Sequence, residues 1–408
     1  MKITIVGGAA ASTPGLVTAL AGRPGLLDVS EIVLVDPDQQ RLEQMGALCQ
    51  HLLHENAPDT VCCPPTVRVC PDLEPGATGA AAVLLQPQVA DEAPHPEGPL
   101  PLGCACPEPA VVGAAALSRA LRVVPVAVDV AERVRAVAPD AWLVNTTSPV
   151  GVVTGALLRD DHRVVGLCSE AFTARRWLAG LLGVPPEVVF PEYVGLHHLW
   201  WVRGVLIKGP NAIADVLPPL LQGQAAELAG TVGLPEALLH RLGMVPGPHL
   251  APFYLAEQAE RAHRLGPVPG TTPAARPGPA GPSMLGLAAA ELLEALLTGG
   301  GAMHVVHVRN GHTVPALPAD TVVELPCTVD TAGPVPAAVR PLEPALAGLA
   351  SHVAAFGEAT LDAALHGGRD RVADALLAHP LLRDFATIEQ LADEIVASNA
   401  THLPWAGK

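Results

Sequence analysis

The opening 36 residues constrain the fold more than any other stretch of the chain. MKITIV is a short apolar run; Gly7 and Gly8 follow it, then the small-residue turn AAAS, then a helix opening near Thr13 and Pro14. EIVLVDPD supplies a second strand that ends in Asp36. Glycines at such a turn let the backbone approach a pyrophosphate, and the helix start offers unpaired N–H groups and a partial positive charge. An acid at the end of the second strand is placed to accept hydrogen bonds from an adenosine ribose and repels a 2′-phosphate, so NAD is expected over NADP. The expected cofactor contacts are Gly7, Gly8, Ser12, Thr13, Asp36 and Asn145; Ala9, Ala10 and Ala11 fill the turn where a third glycine is usual.

Apolar runs at 2–6, 31–35, 66–70, 81–85, 142–145 and 164–167 read as strands, and they alternate with helical patterns at about 13–22, 38–55 and 115–137. Such alternation implies an α/β fold, a Rossmann-like doubly wound parallel sheet that holds ligands at the carboxyl ends of its strands. Asn145 and Cys168 fall at two of those ends. Further on, VRGVLIKG reads as a strand opening a second region, followed by Leu- and Ala-rich helices at about 213–243 and 285–298, strands within 304–330, and helices from 341 to 399. The expected division is an NAD-binding domain over 1–200 and an α+β substrate-binding and oligomerisation domain over 201–408.

Charge narrows the partners. A formal net charge of −16, from 24 Lys and Arg against 40 Asp and Glu, argues against nucleic acid, whose phosphates need a basic face. Small molecules are the expected partners. Gly and Pro interrupt the Ala- and Val-rich runs, so no membrane span is expected, and MKITIV runs straight into the glycine turn as a signal peptide would not. A cytoplasmic location follows as the expectation, and the 8 cysteines fit it as mostly free thiols, since Cys62 with Cys63 and Cys104 with Cys106 lack the paired spacing of a structural zinc site. The segments 86–109 and 265–283 are rich enough in Pro and Gly to be loops.

Two further segments carry metal-capable side chains after strand-like runs: VVGLCSEAF, with Cys168, and YVGLHHLWW, with His197 and His198. Taken in order with IVGGAAASTPGLV, EIVLVDPD, PDAWLVNTTSPVGVVT and LPADTVVELPCTVDTAGPVP, they resemble glycoside hydrolase family 4 over nearly the whole chain. That family groups NAD- and divalent-metal-dependent 6-phospho-α- and 6-phospho-β-glucosidases, α-galactosidases and α-glucuronidases. The resemblance implies oxidation of a sugar hydroxyl by NAD, elimination of the C1 substituent, addition of water and return of the hydride, with a metal polarising the ketone. It also implies homodimers or homotetramers, Cys168 and His198 as ligands to a metal that is Mn²⁺ by family habit, and Asn145, Ser169 and His197 at the substrate. Thiolate and imidazole would equally suit Fe²⁺, Co²⁺ or Zn²⁺.

Several residues depart from the family pattern. The family's base is a Tyr in a Gly-rich motif, where this chain has ARPGPAGPSMLGLAA, with Pro282 at the Tyr position and no Tyr, Asp or Glu from Arg261 to Ala290. Tyr254 and His197 are the candidate replacements, and Glu108 stands where the family has an acidic residue near its active site. The consecutive residues His197 and His198 would face opposite ways on a strand, which sets one of them outside the site. An Arg precedes an Asp-Glu pair in phosphoglucosidases; QPQVADEAP keeps Asp91 and Glu92 without it, so a non-phosphorylated sugar or glycoside is expected. Three functions stay open: a family-4-like glycosidase, a catalytically altered or inactive NAD-binding relative, and a sugar dehydrogenase or epimerase.

Overall fold

The computed structural model describes residues 1–21, 28–56, 65–87, 89, 113–208, 213–256, 282–382 and 384–406. Its first half is the expected alternation: β1 (Lys2–Val6), α1 (Thr13–Ala21), β2 (Glu31–Val35), α2 (Gln39–Asn56), β3 (Thr66–Cys70), α3 (Leu73–Ala77), β4 (Ala82–Leu85), α4 (Ala114–Val137), β5 (Trp142–Asn145), α5 (Val150–Arg159), β6 (Val164–Gly166) and α6 (Ser169–Leu182). The six strands pair in parallel in the order β3-β2-β1-β4-β5-β6. The order reverses between β1 and β4, and ligands of doubly wound sheets bind at such a switch point. Near-continuous apolar strands, buried on both faces, are what a parallel sheet requires. One core packs α1, α2 and the helix Met284–Thr298 on one face, and another packs α4, α5 and the C-terminal helices on the other.

The second half continues the same sheet with antiparallel strands. The hairpin of β7 (Val189–Leu196) and β8 (Leu199–Lys208) carries β9 (Ile213–Asp215), then α7 (Leu217–Gly223), α8 (Ala225–Val232), α9 (Glu236–Leu242), β10 (Val245–Pro246) and α10 (Ala251–Tyr254). After the helix Met284–Thr298 come β11 (Ala302–Arg309), β12 (Val322–Asp330) and β13 (Gly333–Pro336), then helices Pro344–His366, Arg369–Leu377 and Phe385–Ser398. β11 joins β6, and β12 joins β7, so the sheet runs unbroken from the parallel half into the hairpin. Residue 200 lies inside β8, whose partner β7 precedes it, so the sheet crosses the expected division at that point.

The helical pattern expected over 213–243 is a short strand and three short helices. Gly233, at φ 68°, ends α8, and Pro235 caps α9. A residue with positive φ stops a helix, and proline before a helix start cannot continue the previous one. Among the described residues no helix is long and apolar enough to cross a membrane.

Candidate active site

β6 ends at Gly166, and two residues later Cys168 caps the N-terminus of α6. The chain therefore delivers the thiol to the helix start, where the first amides of α6 have no partner within the helix. Burial nevertheless pushes the Cys168 thiol well above its ordinary range, and the carboxyls of Glu324 and Glu170 push it the same way. Such a thiol keeps its proton until a cation displaces it.

Leu196 pairs with Leu199, leaving His197 and His198 as the two-residue tip of the β7–β8 hairpin. His198 adopts φ 61°, the left-handed region that a non-glycine residue seldom occupies. The expectation that the two imidazoles face opposite ways is corrected here: alternation holds along a strand, and this is a turn. Their ring centroids lie 4.0 Å apart at 73°, and both rings enter one cluster.

Cys168 Sγ lies 3.7 Å from His198 Nε2. His198 Nδ1 lies 3.3 Å from Glu170 Oε1, without the alignment of a formed hydrogen bond. Glu170 also accepts from Trp200 Nε1 at 2.6 Å and meets His249 Nε2 at 2.8 Å. Although burial opposes it, the imidazoles of His249 and His198 and the Trp200 indole hold the Glu170 carboxyl down to about 2. Burial lowers His198 to about 4, so its imidazole is neutral at neutral pH, the form that ligates metal. Deeper in, Tyr193 Oη donates to Glu324 Oε2 at 2.9 Å, and the ring of His307 lies 5.1 Å from that of His197. Burial raises the Glu324 carboxyl well above its ordinary range, and burial lowers His307 to about 3, so that imidazole is neutral at neutral pH.

Glu170, His249, His307 and Glu324 were not singled out from the sequence. Glu170 had a signal, since a Cys that ends a strand and starts a helix puts the residue two places on in the first turn. The other three reach the site from strands and turns distant in the chain, and no local pattern marks them.

The nucleotide side forms at the switch point. Gly7 and Gly8 both donate to Val35 O at 2.9 Å, and Gly7 has φ 82° with its Cα so close to β4 that a Cβ would stand 2.1 Å from Gln86 O. Asp36 sits at the end of β2 and accepts from Ala9 N at 3.2 Å and Asp38 N at 3.0 Å. Each of its oxygens retains a lone pair for a further donor. Ser12 is exposed, with its hydroxyl on Gln86 Oε1 at 2.9 Å; Thr13 is buried and its Oγ1 accepts from Gln86 Nε2 at 2.9 Å. The Thr13 hydroxyl therefore helps hold the turn.

Three other expected residues are placed as follows. Asn145 is 0 % exposed; its Nδ2 donates to Thr154 Oγ1 and Val150 O, and its Oδ1 accepts from Thr147 N. An amide so engaged helps shape the turn after β5. Tyr254 Oη accepts from Trp201 Nε1 at 3.1 Å, and burial raises its phenol, which moves it away from service as a base. Ser169 opens α6 beside Cys168, half-buried. Glu108, Asp91, Glu92 and the cysteines at 62, 63, 104 and 106 lie outside the described residues.

The donors fit a divalent ion. Bonds of about 2.3 Å to sulfur and about 2.05 Å to nitrogen put tetrahedral donors about 3.6 Å apart, against the 3.7 Å seen between Cys168 and His198. A carboxylate beside the other ring nitrogen of a ligating histidine is the usual way its tautomer is set. The glycine turn, helix start and Asp36 fit a dinucleotide at the other end of the same sheet edge.

The model named Family 4 glycosyl hydrolase matches residues 2–184, and Family 4 glycosyl hydrolase C-terminal domain matches 193–382. A probable 6-phospho-beta-glucosidase of Bacillus subtilis (strain 168) is 26% identical, the alignment covering 99% of this chain and 97% of that protein. A 6-phospho-beta-glucosidase of Escherichia coli (strain K12) is 25% identical, over 99% and 96%. Among solved structures, the 6-phospho-beta glucosidase of Thermotoga maritima with NAD and glucose-6-phosphate superposes at a TM-score of 0.84 with 23% identity, covering 98% of this chain and 99% of that one. A 6-phospho-alpha-glucosidase from gut microorganisms in complex with NAD and Mn²⁺ gives 0.80 with 19% identity, covering 99% of each.

Proposed function

The chain belongs to the family 4 glycosyl hydrolases, and from that premise we propose that it is a glycosidase dependent on NAD and a divalent metal. The observation that carries the reading is the Cys168 and His198 pair, 3.7 Å apart at the carboxyl edge of a dinucleotide-type sheet. Cys168 and His198 hold the metal, Glu170 orients His198, and Asp36 with the β1–α1 turn holds the adenosine half of the cofactor. When bound, the two groups supply reversible hydride transfer at a ring carbon and Lewis-acid polarisation of the neighbouring oxygens. His249, held 2.8 Å from Glu170 and beside the donors, is assigned the proton that leaves the ring.

The substrate is proposed to lack a 6-phosphate. The stretch QPQVADEAP keeps Asp91 and Glu92 without the Arg that precedes such a pair in phosphoglucosidases, which supports that reading. A relative that binds sugar without turnover is the second reading, favoured by the absence of Tyr, Asp and Glu from Arg261 to Ala290. Incubation with NAD⁺, a divalent metal and 4-nitrophenyl α- and β-glycosides, free and 6-phosphorylated, in deuterium oxide separates them. The glycosidase leaves deuterium at C2 of the released sugar. Release without deuterium overturns the mechanism, and stable binding of glycoside with neither release nor exchange supports the second reading.

A further inference from the structure

A third protein donor stands beside the two that the family pattern supplies. The hairpin turn brings His197 round to the side of His198, and a donor atom of each, with Cys168 Sγ, falls within a 4.8 Å sphere of mutual distance. Both ring nitrogens of His197 are shut off from solvent and, among the described residues, have no hydrogen-bond partner. Burying an imidazole with neither nitrogen paired is unfavourable, and ligation of a cation removes the cost. His198 has its Nδ1 toward Glu170 and its Nε2 toward the thiol. Glu170 itself is held by Trp200 and His249, which suits it to orient a ligand rather than to leave its place and become one.

We propose that the metal is held by three protein donors, the thiolate of Cys168 and one imidazole nitrogen each of His197 and His198, and that this set prefers Co²⁺ or Zn²⁺ to Mn²⁺. The inference rests on the metal reading given above and extends it to a ligand and a selectivity. Two imidazoles and a thiolate form a nitrogen and sulfur set of the kind that leaves one tetrahedral position open at catalytic zinc. Divalent affinity for such donors rises from Mn²⁺ through Co²⁺, whereas Mn²⁺ is suited by oxygen ligands. The 3.7 Å separation of Sγ and Nε2 is already that of a tetrahedral edge, and a donor atom of His197 lies within 4.8 Å of a donor atom of each. With three protein ligands the ion stays bound in the absence of sugar, whereas a two-donor site relies on substrate oxygens to complete it.

The test is a titration of the metal-stripped full chain with Co²⁺ followed by optical absorption, repeated on His197→Asn and with Mn²⁺ as competitor. Wild type is expected to show a thiolate-to-cobalt charge-transfer band and intense visible bands of a four-coordinate ion without any sugar present. His197→Asn is expected to bind Co²⁺ at least about 10-fold more weakly, with weakened visible bands and a smaller Co²⁺ preference over Mn²⁺. Equal affinity and spectra in the two proteins would overturn the third ligand while leaving the two-donor reading intact; His197 then only lines the cavity it shares with Gly151, Thr321 and Phe356. Absence of the thiolate band in wild type would sink the metal reading itself. If the variant fails to fold, X-ray absorption on cobalt-loaded wild type decides, with two imidazoles per ion supporting the proposal and one refuting it.

Discussion

Glu170→Gln is the substitution whose effect the geometry specifies most closely. Glu170 Oε2 accepts from Trp200 Nε1, while Oε1 faces His198 Nδ1 and His249 Nε2. A glutamine has one acceptor and one donor where the carboxylate has two acceptors. If its oxygen stays on Trp200, its NH₂ meets His198 Nδ1, which must then accept, and the ring proton moves to Nε2, where it faces Cys168. If it flips, two donors meet at Trp200, and a buried indole N–H loses its partner at about 1–3 kcal/mol. The first arrangement opposes metal ligation, and the second keeps the ligating tautomer only by giving up the Trp200 contact, so the affinity should fall within the range for such orienting partners, about 10- to 100-fold or about 1.4–2.7 kcal/mol. Equilibrium dialysis against Co²⁺ at neutral pH, with circular dichroism to confirm folding, measures it. A folded Glu170→Gln protein that binds Co²⁺ as wild type does would refute the orienting role.

The remaining predictions concern stability. Asn145→Ala should lower stability by about 2–3 kcal/mol, because Thr147 N and Thr154 Oγ1 lose a buried partner; an unchanged urea midpoint would contradict that role in the turn. Gly7→Ala should cost at least about 2 kcal/mol, since φ 82° is strained for alanine and the new Cβ meets backbone of Gln86; an unshifted melting temperature would refute this. His379 is 1 % exposed, and burial lowers it from 6.5 to about 4. The unfolded chain thus binds a proton that the folded one does not, so this contribution to stability is intact above about pH 6.5 and is lost as pH falls, by about 2 kcal/mol at pH 5. His379→Gln should lose correspondingly less stability than wild type between pH 7 and pH 5, and equal losses in the two proteins would contradict the assignment.

The parallel half of the fold was legible because each of its strands is a short apolar run bounded by turn residues, and burial on both faces requires just that composition. β1, β2, β3 and β5 occupy the expected residues, and β4 and β6 fall within one residue of them at one end. The stretch 213–243 was less legible: its Leu and Ala content signals helix, but Gly233 and Pro235 divide it. In the site, Cys168 and His198 stood out because each follows a strand, whereas the relation between His197 and His198 depends on a left-handed turn at His198 that no apolar pattern encodes. Asn145 lies where expected, at a strand end, yet Val150 O and Thr154 take its amide. Position along a strand can be inferred from pattern; which neighbour occupies a polar group depends on tertiary packing.

In the proposed mechanism one chain both binds a dinucleotide and holds a metal through Cys168 and His198. Thermal unfolding with NAD⁺ and Mn²⁺ or Co²⁺, added separately and together, on wild type, Cys168→Ala and His198→Ala tests it, because a ligand that binds the native state raises its melting temperature. NAD⁺ is expected to stabilise all three proteins, and metal to stabilise wild type alone. A metal shift of equal size in all three, or an NAD⁺ shift in wild type with no metal response, would contradict it.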